Sequence, residues 1–195
     1  MKQILKRLFI VAFIIISATS TAKTKSSIFD APYKNAVKIT FLSWTSGSSK
    51  ISYERAFPKC KQSGEICVGI IGAGYDKYKN KPLGFALRYG HKFFVAGYKK
   101  ERPMMGFFLR PELLYSHYDY THSKTSTRVP VRMGAILGTF GYQLCLKRFV
   151  ADAWVGAGYC HGKAAETGYY HGFQTYGWLH KNVALSFSIR LGVMW

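Results

Sequence analysis

Acidic residues and cysteines are scarce in this chain. Its 195 residues contain 28 lysines and arginines but only 9 aspartates and glutamates, so its formal net charge is +19. Such a charge needs an anionic neighbour or open water. The 4 cysteines form no Cys-x-x-Cys pair, so a zinc site has no support, and we predict neither a metal site nor a cofactor.

The chain also lacks any apolar run long enough for a transmembrane helix, which needs ~20 residues. Three basic residues precede a short apolar stretch over residues 8–16, and small residues, among them Ser20 and Ala22, follow it. This is the arrangement of a signal peptide. We therefore predict a cleaved signal peptide over residues 1–22 and an N-terminal segment over residues 23–35.

After residue 23 no segment has a sustained helical period, and a period of two residues dominates instead. The pattern is clearest at the C-terminus, where alternate positions are all apolar: Val183, Leu185, Phe187, Ile189, Leu191, Val193 and Trp195. The positions between them hold small residues, Met194 and Arg190. An apolar face opposite a polar or small-residue face is typical of a transmembrane β-strand.

Turn and loop signals divide the remaining sequence into about eight strands. They lie at residues 45–49, 58–65, 76–82, 97–103, 121–128, 147–148 and 162–175. We predict an all-β fold over residues 36–195, an antiparallel up-and-down transmembrane β-barrel of about eight strands with both termini at the periplasmic side.

Three details of the alternation lead to further expectations. Pro111 lies inside a predicted strand and cannot donate to the ladder, so we expect a bulge or kink there. The pattern slips near Gly138, which predicts a second bulge. Arg132 is expected to face inward, and the lipid-facing positions before the bulge are expected to be Val131, Met133, Ala135 and Leu137. An aromatic girdle is expected at the outer rim, formed by Tyr118, Tyr120, Tyr169, Tyr170, Tyr176 and Trp178.

Several short segments give the chain a family resemblance. They are Ile51–Ala56, Arg110–Leu113, Gly141–Gln143, Val155–Tyr159 and the closing strand. Together they resemble the outer membrane protein beta-barrel domain family, and more narrowly its small members of unknown function. The resemblance implies an outer-membrane location and supplies no catalytic residues.

The last residues also resemble the signal by which outer-membrane barrels are recognised for assembly. A terminal aromatic residue, Trp195, follows apolar residues at every second position, including Leu191 and Val193. We therefore expect the barrel-assembly machinery to be a partner of this chain.

Charged residues on the inward face predict a polar network in the lumen. We assign to it Glu54, Arg88, Arg110, Glu112 and Arg190. Unpaired charges in a narrow lumen would be costly, so we expect ion pairs. About eight strands leave an interior just wide enough for side chains to fill, which argues against transport of large solutes.

Oxidation is the natural fate of cysteines in an exported protein. Cys60 and Cys67 flank one predicted turn, and we predict a possible disulfide between them. Cys145 and Cys160 lie toward opposite ends of adjacent strands and are expected to remain free.

The sequence contains no catalytic motif, so no catalytic residue is predicted. His117 and Asp119 share a strand face, and a serine or threonine from another strand could complete a triad, but nothing in the sequence provides it. Ser116, adjacent to His117, must point to the opposite face. A surface histidine and aspartate are the preferred interpretation.

The leading function is therefore a non-enzymatic structural or surface-interaction role in the outer membrane. The alternatives are a lipid A-modifying barrel enzyme, such as an acyl hydrolase, and a narrow channel. Outer-membrane lipids, with the phosphates of lipopolysaccharide, are the expected partners of the basic residues. Nucleic acid is not expected, because an exported protein seldom meets it.

Overall fold

The computed structural model describes residues 33–41, 43–76, 79–121, 126–162, 174–175 and 182–195. The predicted signal peptide, residues 1–22, and nearly all of the segment 23–35 lie outside these ranges. In the described part of the chain, no helix combines the length and apolar character needed to cross a membrane.

Nine antiparallel strands make up the described fold. They are β1 (Asn35–Thr40), β2 (Ser48–Phe57), β3 (Gln62–Ile71), β4 (Leu83–Ala96), β5 (Gly106–Thr121), β6 (Arg128–Leu146), β7 (Phe149–Gly162), the two-residue β8 (Gln174–Thr175) and β9 (Val183–Met194). Strands β1 to β7 pair in chain order, β7 pairs with β9, and β9 returns to β1. The predicted all-β, antiparallel, eight-stranded barrel is confirmed, with β8 as a short addition to β9.

The barrel closes where its first and last strands, β1 and β9, pair with each other. The Asn35 amide donates to the Trp195 carbonyl at 3.1 Å, and the Trp195 amide donates to the Asn35 carbonyl at 3.0 Å. Farther along the seam, the Phe41 amide donates to Ile189 at 2.8 Å. The seam therefore runs along all of β1, and the C-terminal residue is part of the closure.

The two faces of the sheet have opposite character. On β5 the outward positions Phe107, Leu109 and Tyr115 are exposed, whereas the inward positions Arg110 and Glu112 are buried. The same alternation holds along the other long strands, because successive side chains point to opposite faces. The outside of the barrel is thus apolar and its centre is charged.

Strand β6 corrects the predicted slip near Gly138. Its inward and outward positions alternate without a break from Arg128 to Leu146, and its register with β5 and β7 is continuous. Val131 and Leu137 therefore point inward, and Arg132 points outward and is exposed. The expectation was wrong because the inward positions of β6 between Val131 and Leu137 are themselves apolar. Hydropathy therefore does not identify the lipid-facing side of this strand.

The inner wall is apolar near β6 because buried residues from neighbouring strands pack there. The cluster contains Leu114, Met133, Ala135, Leu137, Cys160 and Ala184. Tyr118 and Tyr120 also point inward and pack with Ile71 and Val131, so these two tyrosines do not form an external girdle as expected. The other four residues expected in the girdle lie outside the described residues.

Pro111 is accommodated without the expected bulge. Its pairing with Gly138 on β6 stays in register. On the other side, Gly90 pairs with Glu112 and Phe93 pairs with Leu109 in one register, while the two intervening pairs are absent from the ladder. The lack of an amide hydrogen on proline therefore interrupts the bonding to β4 locally. The bulge between these strands lies three residues farther along β4, between Phe94 and Ala96.

Another apolar cluster fills the barrel at the end where β1 begins and β9 ends, called the terminal end below. Phe94, Phe108 and Trp154 contribute their rings from three different strands. The segment between β4 and β5 adds Met104, which is almost completely buried in this cluster. This end of the barrel is therefore closed by packed side chains.

Candidate functional site: the buried charge network

Ten charged side chains are buried inside the described barrel. Six are cationic (Lys38, Lys50, Arg88, Lys92, Arg110 and Arg190), and four are anionic (Glu54, Glu65, Glu112 and Asp152). Each occupies an inward position of a strand, because the two-residue period alternates it with apolar outward neighbours. Nine of these residues form one network of ion pairs, and Lys50 has no ion pair in it.

Two lysines and three carboxylates form the centre of this network. The Lys38 ammonium lies 2.7 Å from both Glu65 and Asp152 and also contacts Glu54. The Lys92 ammonium lies 3.0 Å from Glu54, 3.3 Å from Glu65 and 2.9 Å from Asp152. Each ammonium group therefore bridges carboxylates from three strands.

The same three carboxylates are close enough to hold a metal ion. Single oxygens of Glu54, Glu65 and Asp152 lie within 4.8 Å of one another. The ammonium groups of Lys38 and Lys92, however, contact all three carboxylates. Since the lysines supply the positive charge that a metal would bring, the arrangement is a salt-bridge cluster and gives no support to a metal site.

The second part of the network is formed by Glu112 and two arginines. Arg88 Nε lies 3.1 Å from Glu112, and Arg110 Nη2 lies 2.6 Å from it. Arg110 Nε also donates to the Thr139 hydroxyl at 3.1 Å. Gly90 leaves room for Arg110, since a Cβ at this glycine would lie 2.7 Å from the arginine Cδ.

Arg190 connects the last strand to the centre of the barrel. Its Nε donates to Asp152 Oδ1 at 2.9 Å and its Nη2 to Asp152 Oδ2 at 2.8 Å, which is the two-pronged geometry that favours arginine over lysine. It also pairs with Glu65 on β3. One guanidinium thus links β9 to both β7 and β3.

The indole of Trp154 lies beside two of these guanidinium groups. The central carbons of Arg110 and Arg190 are each 4.3 Å from its ring centroid. Lys92 lies 4.6 Å from the ring centroid of Phe108. Such cation–π contacts strengthen where water is excluded, so the aromatic cluster and the charge network pack as one filled interior.

All five residues predicted for the lumen are buried in this network: Glu54, Arg88, Arg110, Glu112 and Arg190. Sequence reasoning did not include Lys38, Glu65 or Lys92 among its lumen residues. Lys38 alternates with apolar neighbours, which was the available signal. Glu65 was placed in the turn at 58–65, and Lys92, within a predicted strand, was not assigned to its inner face.

The predicted disulfide between Cys60 and Cys67 is wrong for this structure. Both thiols are free, with Cys60 exposed and Cys67 buried. Cys60 lies in the short turn Pro58–Cys60, whereas Cys67 is well inside β3, opposite Ser52. A strand rises by ~3.3 Å per residue, so the residues of β3 that precede Cys67 separate its Cα atom from that of Cys60. A disulfide requires the two Cα atoms to lie within ~7 Å of each other, and this separation is larger.

The two residues considered for catalysis point away from the lumen. His117 and Asp119 are outward positions of β5, and Asp119 lies 3.6 Å from Arg128. The residues directly across from His117 are Phe85 on β4 and Arg132 on β6. Ser116 is buried on the inner face. Neither directly opposed residue is a serine or threonine, so the described neighbours do not supply a nucleophile.

The predicted assembly residues lie on the outer face of the last strand. Leu191, Val193 and Trp195 are each nearly half exposed. The ring of Trp195 is 6.3 Å from that of Tyr53. These residues therefore form an apolar strip along the seam between β9 and β1.

Short connections at the terminal end carry many of the exposed cations. Lys34, Lys59, Lys61, Lys99, Lys100, Arg102, Lys147 and Arg148 all lie there. The Tyr98 hydroxyl donates to the Pro58 carbonyl at 2.9 Å and joins two of the connections. Burial and the charge of Glu101 raise the pKa of Tyr98, so the hydroxyl keeps its proton and this hydrogen bond.

Comparisons with protein-family models, curated proteins and solved structures found no match to this chain.

Proposed function

We propose that this protein is a small outer-membrane β-barrel with a structural or surface-interaction role and no catalytic activity. The observation that carries the proposal is its inverted polarity: the barrel is apolar outside and charged inside. A water-soluble barrel of this size would place its charges outward, because burying ten of them costs desolvation energy. In a bilayer the apolar surface contacts lipid instead.

The height of the apolar surface fits a bilayer. On β5 the apolar outward positions run from Phe107 to Tyr115 and are followed by His117 and Asp119. A transmembrane strand needs ~9–11 residues, which is close to this apolar span. The closed hydrogen-bonded ladder also leaves no barrel edge exposed to lipid.

The packed interior argues against the narrow-channel alternative. Met104, Phe108 and Trp154 fill the terminal end, and the ion-pair network fills the centre. An ion that entered would have to displace salt bridges that are already formed.

The enzymatic alternative has less support. A lipid A acyl hydrolase would need a nucleophile beside a base at the outer rim. His117 instead has an aromatic residue and an arginine opposite it.

Lipid phosphates are the partners that fit the exposed charge. At the end opposite the termini, Lys79, Lys81, Arg128 and Arg132 are exposed close to the apolar surface. Among the described residues, more exposed lysines and arginines lie at the terminal end than at this one. Cations just beyond an apolar band are suited to contact the headgroups of anionic lipids, and at the outer side these include lipopolysaccharide phosphates.

Cell fractionation combined with N-terminal sequencing tests location and export together. We expect the protein in the outer-membrane fraction, extractable only with detergent, with a mature N-terminus near residue 23. Recovery of an intact N-terminus from the soluble fraction would overturn the proposal.

Mass spectrometry of lipid A tests the absence of catalysis. Cells with the wild-type protein, with His117→Ala and with no protein should have the same acyl-chain pattern. An acyl-chain change that needs the wild-type protein and disappears with His117→Ala would favour the hydrolase instead.

A further inference from the structure

One buried cation lies outside the charge network. Lys50 occupies an inward position of β2 and is only 9% exposed. Among the described residues it has no ion pair and no hydrogen bond from its side chain. All four buried carboxylates are engaged by other cations.

The electrostatic surroundings of Lys50 add positive charge. Arg88 pairs with Cys67 on β3, two residues along the same face from Gly69, which in turn pairs with Lys50. The six buried cations exceed the four buried anions by two. An isolated charge in a low-dielectric interior is costly unless it is paired. The described interior therefore lacks a negative charge close to Lys50.

The neighbourhood of Lys50 also has small side chains and a polar group. Lys50 pairs with Gly69 on β3, and Gly69 pairs with Ala86 on β4. A Cβ at Gly69 would lie 3.2 Å from the Lys50 Cγ, so the glycine lets the lysine lie across it. Two residues before Lys50, on the same face, the buried Ser48 hydroxyl has no partner in the described part of the chain.

We propose that the barrel interior binds a small inorganic anion beside Lys50. The lysine ammonium is the principal ligand, Arg88 contributes charge, and the Ser48 hydroxyl is available to donate a hydrogen bond. Charge-assisted contacts of this kind are the strong ones in anion recognition. The anion balances part of the interior's positive surplus and so links barrel stability to anion concentration.

The test measures thermal unfolding of the detergent-solubilised full chain at constant ionic strength. Sodium gluconate is replaced stepwise by sodium chloride or, in a separate series, by sodium phosphate. Gluconate serves as a bulky reference anion, so the two series separate chloride from phosphate as the preferred ligand.

We expect the unfolding midpoint of the wild-type protein to rise with the logarithm of the concentration of at least one small anion, as mass action requires for a ligand of the folded state. The rise should be absent in Lys50→Met and retained in Lys50→Arg. Lys59→Met, which removes an exposed lysine from the terminal end, is the matched control and should respond as the wild type does.

No rise in the wild type, or an equal rise in Lys50→Met, would overturn the proposal. If Lys50→Met does not fold, crystals of the wild-type protein grown with bromide and, separately, with phosphate decide the question. An anomalous bromide peak or phosphate density inside the barrel beside Lys50 supports the site, and its absence from both crystals refutes it.

Discussion

At the residue scale, the charges of the barrel differ in importance according to their burial. Glu112 is buried between Arg88 and Arg110, whereas Asp119 pairs with Arg128 on the surface at 3.6 Å. Removal of one member of a buried pair leaves an uncompensated charge in a low-dielectric site, while solvent screens the surviving charge of an exposed pair.

Substitution of Glu112 tests this difference. We expect Glu112→Gln to lower the free energy of unfolding by about 3–5 kcal/mol, and the control Asp119→Asn to lower it by less than about 1 kcal/mol. Adding Arg110→Met to Glu112→Gln should recover part of the loss, since one stranded cation is then removed. The free energies of unfolding are measured with denaturant in detergent. Equal, small losses for the two single substitutions would mean that water fills the lumen and screens the remaining charges.

Thiol labelling tests the free cysteines. In the folded protein we expect a maleimide to label Cys60 alone, because Cys67, Cys145 and Cys160 are buried. All four should react after unfolding without a reducing agent. Two unreactive thiols after unfolding, recovered only on reduction, would show that a disulfide forms after all.

At the element scale, the last strand completes the barrel through its final residue. Trp195 exchanges two backbone hydrogen bonds with Asn35 and lies on the apolar outer strip. Loss of the residue removes both bonds at the seam and leaves β1 partly unpaired, which is unfavourable in lipid.

Deletion of Trp195 should therefore reduce the yield of compact barrel, detected by its heat-modifiable gel mobility, while export continues. Trp195→Phe keeps the backbone and an aromatic side chain, so its yield should stay near that of the wild type. Normal folding of the deletion variant would contradict a role for this residue in closure and assembly.

The strands that sequence analysis assigned well are those with one apolar and one polar or small-residue face. β9 is an example, because Arg190 and its small neighbours mark the inner side. On β6 the inward positions from Val131 to Leu137 are apolar and the outward Arg132 is charged, so the sequence pattern pointed to the wrong face. Glu65 was missed for another reason: it was assigned to the turn at 58–65, and only its pairing with Glu54 and Gly90 shows that β3 already includes it. Lys92 lies well inside β4, and its inward position was not recognised.

At the scale of the whole molecule, side chains fill the described interior of the barrel at the terminal end and at the centre. Apolar side chains close the terminal end, and salt bridges occupy the centre. Its interior thus resembles that of a packed protein core.

We expect liposomes that contain the purified protein to show no swelling with small sugars and no stable conductance steps in planar bilayers. A general porin serves as the positive control in both measurements. Reproducible conductance from the folded, heat-modifiable species would revive the narrow-channel alternative.

The ion pairs also join strands that are far apart along the chain. Lys38 on β1 pairs with Asp152 on β7, and Glu65 on β3 pairs with Arg190 on β9. In a partly assembled barrel, the charged residues of the first strands would therefore lack their ion-pair partners on β7 and β9. Lipid tails cannot replace these partners. Under the proposed membrane location, the network therefore selects for complete barrels. A truncated or misregistered chain would carry unpaired buried charges and be excluded from the bilayer, whereas a barrel with all its strands paired would be stable there.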